Sequence, residues 1–402
     1  MKIKHILLIS GLPYAQKKLD LLGHKITLVV NKKDLKFGNK AIEYASRTLI
    51  LSDKDDLLKI INALHESDPF DGVISFSEGG LLQAAQCAEM LKLPGMQVQA
   101  VKNTMDKYLF RCCLNSIPEC NVKFQLCRNE EEVVEFYNKL RNKQLVLKPV
   151  SGMGSKGVIS VNDKKNIKEA FRYSSNNFNT PVLAESYLEG DDFSVETFTN
   201  KGHHQLIAIT DKYNTGPPNF VGKYHVIPSE IDDKKRDFIF NKVARVLDVL
   251  NVKFGLAHTE IKVLDTEVKI IEVQLRPGGK FYHLIENGLG IDVFELAINS
   301  MFDIVYQPKK GVGSASIYYF DAKEEGIVEK VEGIELVSKN TNVCDINIRV
   351  KPGCFIKKWT DTSDRLGHIV CTGVNSHLSL QTAMFLANQI KFMIKQEKGV
   401  KK

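Results

Sequence analysis

Two short stretches carry the side chains most able to do chemistry. In IIEVQLR, residues 270–276, strand alternation puts Glu272, Gln274 and Arg276 on one face and Ile271, Val273 and Leu275 on the other. In FGLAHTEIKV, residues 254–263, the same rule groups His258, Glu260 and Lys262. A hairpin turning about Thr266 sets Glu260 directly opposite Glu272. Facing carboxylates repel unless one takes a proton or a cation sits between them. The amide oxygen of Gln274 adds a third hard donor, a set that suits Mg²⁺, which fills its other positions with phosphate and water. The alternative is a solvated sheet face of mixed charge. The apolar back, and the RPGGKF that follows, where Gly278 and Gly279 let the backbone come close, favour the metal.

The second stretch is LVLKPVSGMGSKGVISV, residues 145–161, in which Gly152, Gly154 and Gly157 spell G-x-G-x-x-G. A dinucleotide fingerprint needs a helix directly after its glycines, because the helix N-terminus holds the pyrophosphate. Here VISV follows, with three β-branched residues in four, and that predicts a strand. A P-loop fails too, since Val158 stands where its lysine belongs. The segment therefore joins two antiparallel strands, and its N–H groups can fold over a polyphosphate as a flap. Lys148 is a lone cation within an apolar strand run just before it, where an ammonium needs a buried anionic partner.

The elements that must position these residues follow a clear order. Residues 1–102 alternate strand and helix signals, which predicts a parallel sheet covered by helices. NTMDKYLFRCCLN, residues 103–115, is expected to be one helix capped by Asn103. Strands, the glycine loop and helices then form a middle region to about residue 305, with a lid over 119–184. Residues 306–402 read as a β-rich subdomain packing on that core, closed by one helix through SLQTAMFLANQIKFMI. The fold class expected is α/β with an α+β core.

At 402 residues the chain is too long for one ordinary core, so two or three domains are expected. The apolar runs are short and strand-like, and MKIKHILLIS lacks a signal peptide's long apolar stretch, so no membrane role and a cytoplasmic location are expected. The eight cysteines form no C-x-x-C pair and read as scattered, mostly buried thiols. A net charge of +7 suits an anionic small substrate, and no aromatic-basic stripe favours nucleic acid.

In this order and spacing the residues resemble the ATP-grasp superfamily, and within it the carboxylate–amine ligases related to the dipeptide-forming L-amino acid ligases. The resemblance covers nearly the whole chain and implies ATP and Mg²⁺, with Mn²⁺ as a substitute. It implies that Lys107 in MDKYLFR contacts the nucleotide, that Lys148 touches the α-phosphate and adenine, and that Ser151, Gly152, Met153, Gly154, Ser155 and Gly157 cover the β- and γ-phosphates. Glu185 with the backbone of Ser186 and Tyr187 matches the hinge that reads the adenine edge. Asp192, beside Asp191, stands where the family usually has a ribose-binding glutamate. Glu260 and Glu272 match the metal carboxylates, and Gln274 replaces the usual asparagine. Arg276 matches the arginine that holds an acyl phosphate, and His225 a histidine near it in dipeptide-forming members. Glu78 is either a contact for a substrate amine or a cap for the helix GLLQAAQ.

The chemistry implied is phosphorylation of a carboxylate by ATP, then displacement of phosphate by an amine. Partners are then small carboxylates and amines; a homodimer and a carrier-protein thiol as acceptor remain open, as does a purine-pathway ligase. Two other classes compete: a nicotinamide oxidoreductase built on the glycine pattern, and an ATP-binding regulatory protein without catalysis.

Overall fold

The computed structural model describes residues 3–33, 35, 40–152, 154–177 and 179–395. The leading unit is β1 (His5–Ile9), α1 (Pro13–Leu21), β2 (Lys25–Asn31), β3 (Arg47–Leu51), α2 (Leu57–Ser67), β4 (Gly72–Ile74) and α3 (Leu81–Leu91). Its strands pair in parallel in the order β3-β2-β1-β4, as the alternation of strand and helix predicts.

The expected helix from Asn103 is two helices. α4 (Val98–Met105) runs through Asn103, and α5 (Lys107–Cys113) starts afresh behind Asp106, whose carboxylate accepts from the N–H groups of Tyr108 and Leu109. An aspartate competes for backbone donors better as a cap than inside a helix, and here it breaks the chain. The break puts Lys107 at a helix start, with its N–H on Val150 O at 2.9 Å, so it is held against the glycine loop.

The segment expected to form the lid follows as a separate four-stranded unit: β5 (Phe124–Cys127), α6 (Glu130–Lys139), β6 (Leu145–Pro149), β7 (Ile159–Val161), α7 (Ile167–Ser174) and β8 (Val182–Ser186), with strand order β5-β8-β6-β7. β6 and β7 are antiparallel neighbours, so the glycine loop is a strand-to-strand connection and not the strand-to-helix turn of an oxidoreductase fingerprint. This unit has its own apolar core, including Phe136, Leu147, Phe171 and Ala184.

The core chain runs through β9 (Asp191–Asn200), β10 (His203–Asn214), β11 (Gly222–Ile227), α8 (Asp233–Val249), β12 (Phe254–Leu264), β13 (Glu267–Gln274), α9 (Phe281–Leu284) and α10 (Val293–Met301). It continues as β14 (Ser314–Phe320), β15 (Gly326–Glu332), α11 (Ile334–Ser338), β16 (Val343–Ile348), β17 (Phe355–Ile356), β18 (Gly367–Gly373), α12 (Ser376–Ala387) and β19 (Lys391–Lys395). One eight-stranded sheet, β13-β12-β9-β10-β11-β14-β18-β16, joins strands from both sides of residue 305. The last helix is shorter than expected. It ends at Ala387, and KFMIK forms β19 against β15, because Phe392 and Ile394 alternate inward between lysines. DINIRVKPGCFI likewise splits into β16 and β17 around Gly353, whose φ is +91°. All eight cysteines are free, and four of them are buried. No helix among the described residues is long and apolar enough to cross a membrane.

Candidate active site

One end of the cavity is built by three buried charges. Register sets Lys148 on β6 opposite Leu183 and Glu185 on β8 opposite Val146, so the two are diagonal neighbours on one face, with Nζ 2.7 Å from Oε2. Arg111, fully buried on α5, grips the same carboxylate through Nε at 2.7 Å and Nη2 at 3.0 Å. Burial works against ionised Glu185, but Arg111 and Lys148 together hold its carboxyl down at about 2. Burial, only partly offset by Glu185, draws Lys148 below the usual lysine range, so an anion beside it would favour its charged form. Glu185 is thus occupied as the strut that holds Lys148. The N–H groups of Ser186 and Tyr187 are occupied too, on Lys123 O and Gln144 O. Asp192 accepts from Asn214 Nδ2 at 2.7 Å and Lys262 Nζ at 3.0 Å, while Asp191 is exposed.

Glu260 and Glu272 are register partners on β12 and β13, with a bulge just after Glu260. Their charges are already compensated. Glu260 pairs with Lys212 and lies 3.3 Å from His258 Nε2, while Glu272 accepts from Gln274 Nε2 at 2.6 Å and lies 3.9 Å from Lys107. Against burial, Lys212 and His258 hold the Glu260 carboxyl well below the usual range. His258 is buried with Nδ1 2.5 Å from Glu196; burial alone would depress it, but Glu196 and Glu260 raise it to about 9. Both carboxylates line the same cavity, so two hard oxygen donors on adjacent strands fit Mg²⁺ or Mn²⁺. Gln274 fits less directly, because its amide nitrogen is turned to Glu272.

Arg276 Nε donates to Glu78 Oε2 at 2.8 Å, so Glu78 reaches across from the leading unit instead of serving as a cap. Gly278 is held tightly, since a Cβ there would meet His258 Nδ1 at 2.5 Å, whereas Gly279 opens onto the cavity. His225 is buried, stacks on Phe281 at 5.2 Å, and keeps Nδ1 without a partner. Burial, with Lys212 and Arg365 nearby, pushes its pKa well below the usual histidine value, so the ring is neutral.

The glycine loop closes this space. Lys107 Nζ donates to Gly152 O at 2.7 Å, and Gly154 O accepts from Thr362 N at 3.2 Å. Ser151, Gly152, Gly154 and Ser155 line the cavity, Gly157 lies behind it against Pro149, and Met153 lies outside the described residues. The cavity is about 440 Å³ and is bordered by seven lysine or arginine side chains against four carboxylates. That excess of positive charge suits a polyanion. Sequence reading grouped Lys262 with Glu260 but missed Arg111, Lys212, Thr362 and Arg365. Their neighbours carry no pattern; only the pairing of distant elements brings them here.

Known proteins share this organisation. Residues 20–95 match the ATP-grasp N-terminal domain, residues 141–282 the ATP-grasp domain, and residues 318–395 the L-amino acid ligase C-terminal domain 2. The chain therefore carries an ATP-grasp domain, between an ATP-grasp N-terminal domain and an L-amino acid ligase C-terminal domain 2. It is similar to alanine–anticapsin ligase of Bacillus subtilis, at 24% identity over 271 residues, 61% of this chain and 57% of that one. It is also similar to dapdiamide A synthase of Enterobacter agglomerans, at 23% identity over 333 residues and 77% of each chain. The crystal structure of an L-amino acid ligase from Bacillus licheniformis superposes with a TM-score of 0.82 at 24% identity, covering 98% of this chain and 100% of that one. That last likeness is one of fold. The matches span 53–66% of the length of the first curated relatives.

Proposed function

We propose that the chain is an ATP-dependent carboxylate–amine ligase that makes an acyl phosphate from an amino acid's carboxylate and couples it to an amine, releasing ADP and phosphate. The observation that carries this reading is one cation-rich cavity in which Lys148, the glycine loop, the opposed Glu260 and Glu272, and Arg276 converge. Ligation relatives and the L-amino acid ligase domain match support the amino-acid class.

Each group has a task in this chemistry. Lys148 and Lys107 offset the phosphate charge, and the loop's backbone covers it and excludes the water that would hydrolyse an acyl phosphate. Glu260 and Glu272 would hold Mg²⁺, which when bound neutralises the polyphosphate. Arg276, released from Glu78, offers a planar fork to charge developing on the phosphoryl group. His225, neutral and with Nδ1 free, can exchange a hydrogen bond with that group or with the amine. Glu78, freed in turn, is placed to receive the ammonium of a substrate.

The test is orthophosphate release from Mg-ATP with pairs of amino acids, products identified by mass. Expected are ADP, phosphate and a product one water lighter than the pair. ATP binding with no ADP release across a broad panel of carboxylates and amines would support the non-catalytic ATP-binding reading instead.

A further inference from the structure

Three guanidinium groups border or brace the cavity, and two of them have a carboxylate. Arg111 holds Glu185 and Arg276 holds Glu78. Arg365 has no ion-pair partner among the described residues. It lies in the segment between β17 and β18, lines the cavity, and stacks with Cζ 3.5 Å from the Tyr319 ring centroid. Nη2 donates to Gly222 O at 2.7 Å, and Nε is buried without a partner. A buried, unpaired charged donor is costly unless a ligand completes it.

Its place in the cavity identifies the ligand. A Cβ built on Gly222 would meet Arg365 Nη2 at 2.8 Å and His225 Cε1 at 2.9 Å, so guanidinium and imidazole converge on one point. Lys212 and Glu260 act electrostatically on the same two side chains, Lys212 on His225 and Glu260 on both. Arg365 therefore lies on the side of the cavity that holds His225 and Glu260. The segment that presents it is held by several hydrogen bonds. Asp361 and Asp364 form a capping box around residues 362–364, Arg349 Nη1 donates to Thr362 O at 3.1 Å, and Thr362 N bonds Gly154 O.

We propose that Arg365 is an oxyanion ligand for the phosphoryl group that leaves ATP, acting beside His225. The proposal rests on the ligase reading and adds to it a residue from the C-terminal segment. The guanidinium fork matches two phosphoryl oxygens, and its missing counterion is the group the reaction moves.

The experiment is calorimetric titration of orthophosphate into the protein saturated with Mg-ADP, for wild type, Arg365→Gln and Arg365→Lys. Arg365→Gln should weaken orthophosphate by about tenfold or more while Mg-ADP affinity stays within about twofold, because the lost contact is charge-assisted and bidentate. Arg365→Lys should fall between the two and serves if the glutamine variant does not fold. Unchanged orthophosphate affinity in both variants overturns the proposal, as does a parallel loss of Mg-ADP affinity. Wild type that binds Mg-ADP but no orthophosphate also overturns it; wild type that binds no Mg-ADP counts against the ligase reading itself.

Discussion

Glu260 and Glu272 face each other across a hairpin, yet neither stands alone: Lys212 and His258 neutralise one, and Gln274 and Lys107 attend the other. Glu260→Gln should therefore cost the unliganded protein about 1 kcal/mol in urea unfolding, since it strands two cations, while Glu272→Gln should cost little. Both should abolish Mg²⁺-dependent ATP consumption; near-normal turnover in either would return the hairpin to a solvated face. Arg276→Lys should bind ATP almost normally but lose about a hundredfold in ligation rate, roughly 3 kcal/mol, because lysine cannot reproduce the fork. A proportional loss of ATP affinity would make Arg276 a ground-state nucleotide ligand. His258 gives a pH signature. Its folded value, about 9, lies above the usual 6.5, so its contribution is fully present below about pH 6.5 and is lost as pH rises through 9. Wild type should lose up to about 3 kcal/mol over that window, and His258→Gln should flatten the profile. The opposed carboxylates were legible because alternation needs only counting. Arg365 was not, since nothing in TSDRLGH separates it from a surface arginine.

At the scale of elements, the glycine loop is tied at two points, to Lys107 through Gly152 O and to Thr362 through Gly154 O. Gly154 has a φ of +71°, and a Cβ there would lie 2.6 Å from Thr362 Oγ1. Gly154→Ala should strain the loop by about 1–2 kcal/mol, raise the KM for ATP by about tenfold, and leave the melting temperature nearly unchanged. An unchanged KM would mean that the loop does not lie over the nucleotide. That the loop joins two strands was legible from the β-branched run after it. The break at Asp106 and the strand Lys391–Lys395 were not: an aspartate amid helix formers, and KFMIK after a helix, declare themselves only once Tyr108 N and β15 compete for them.

For the whole molecule, the order of a parallel α/β leader, a mixed core and a β-rich end was legible. What sequence could not show is how the parts interlock. Strands on both sides of residue 305 share one sheet, Arg111 ties strand β8 to the carbonyls of Ile270 and Ile271 on β13, and Glu78 reaches from the leader to Arg276. The site is thus a meeting of three regions, and its charge excess exists only once they are assembled. The most direct test of the acyl-phosphate claim uses whichever amino-acid pair releases most phosphate, with ¹⁸O in the donor carboxylate. The account predicts that each turnover moves one ¹⁸O from that carboxylate into orthophosphate, with ADP as the nucleotide product. Orthophosphate free of ¹⁸O, or label found in AMP, would contradict it.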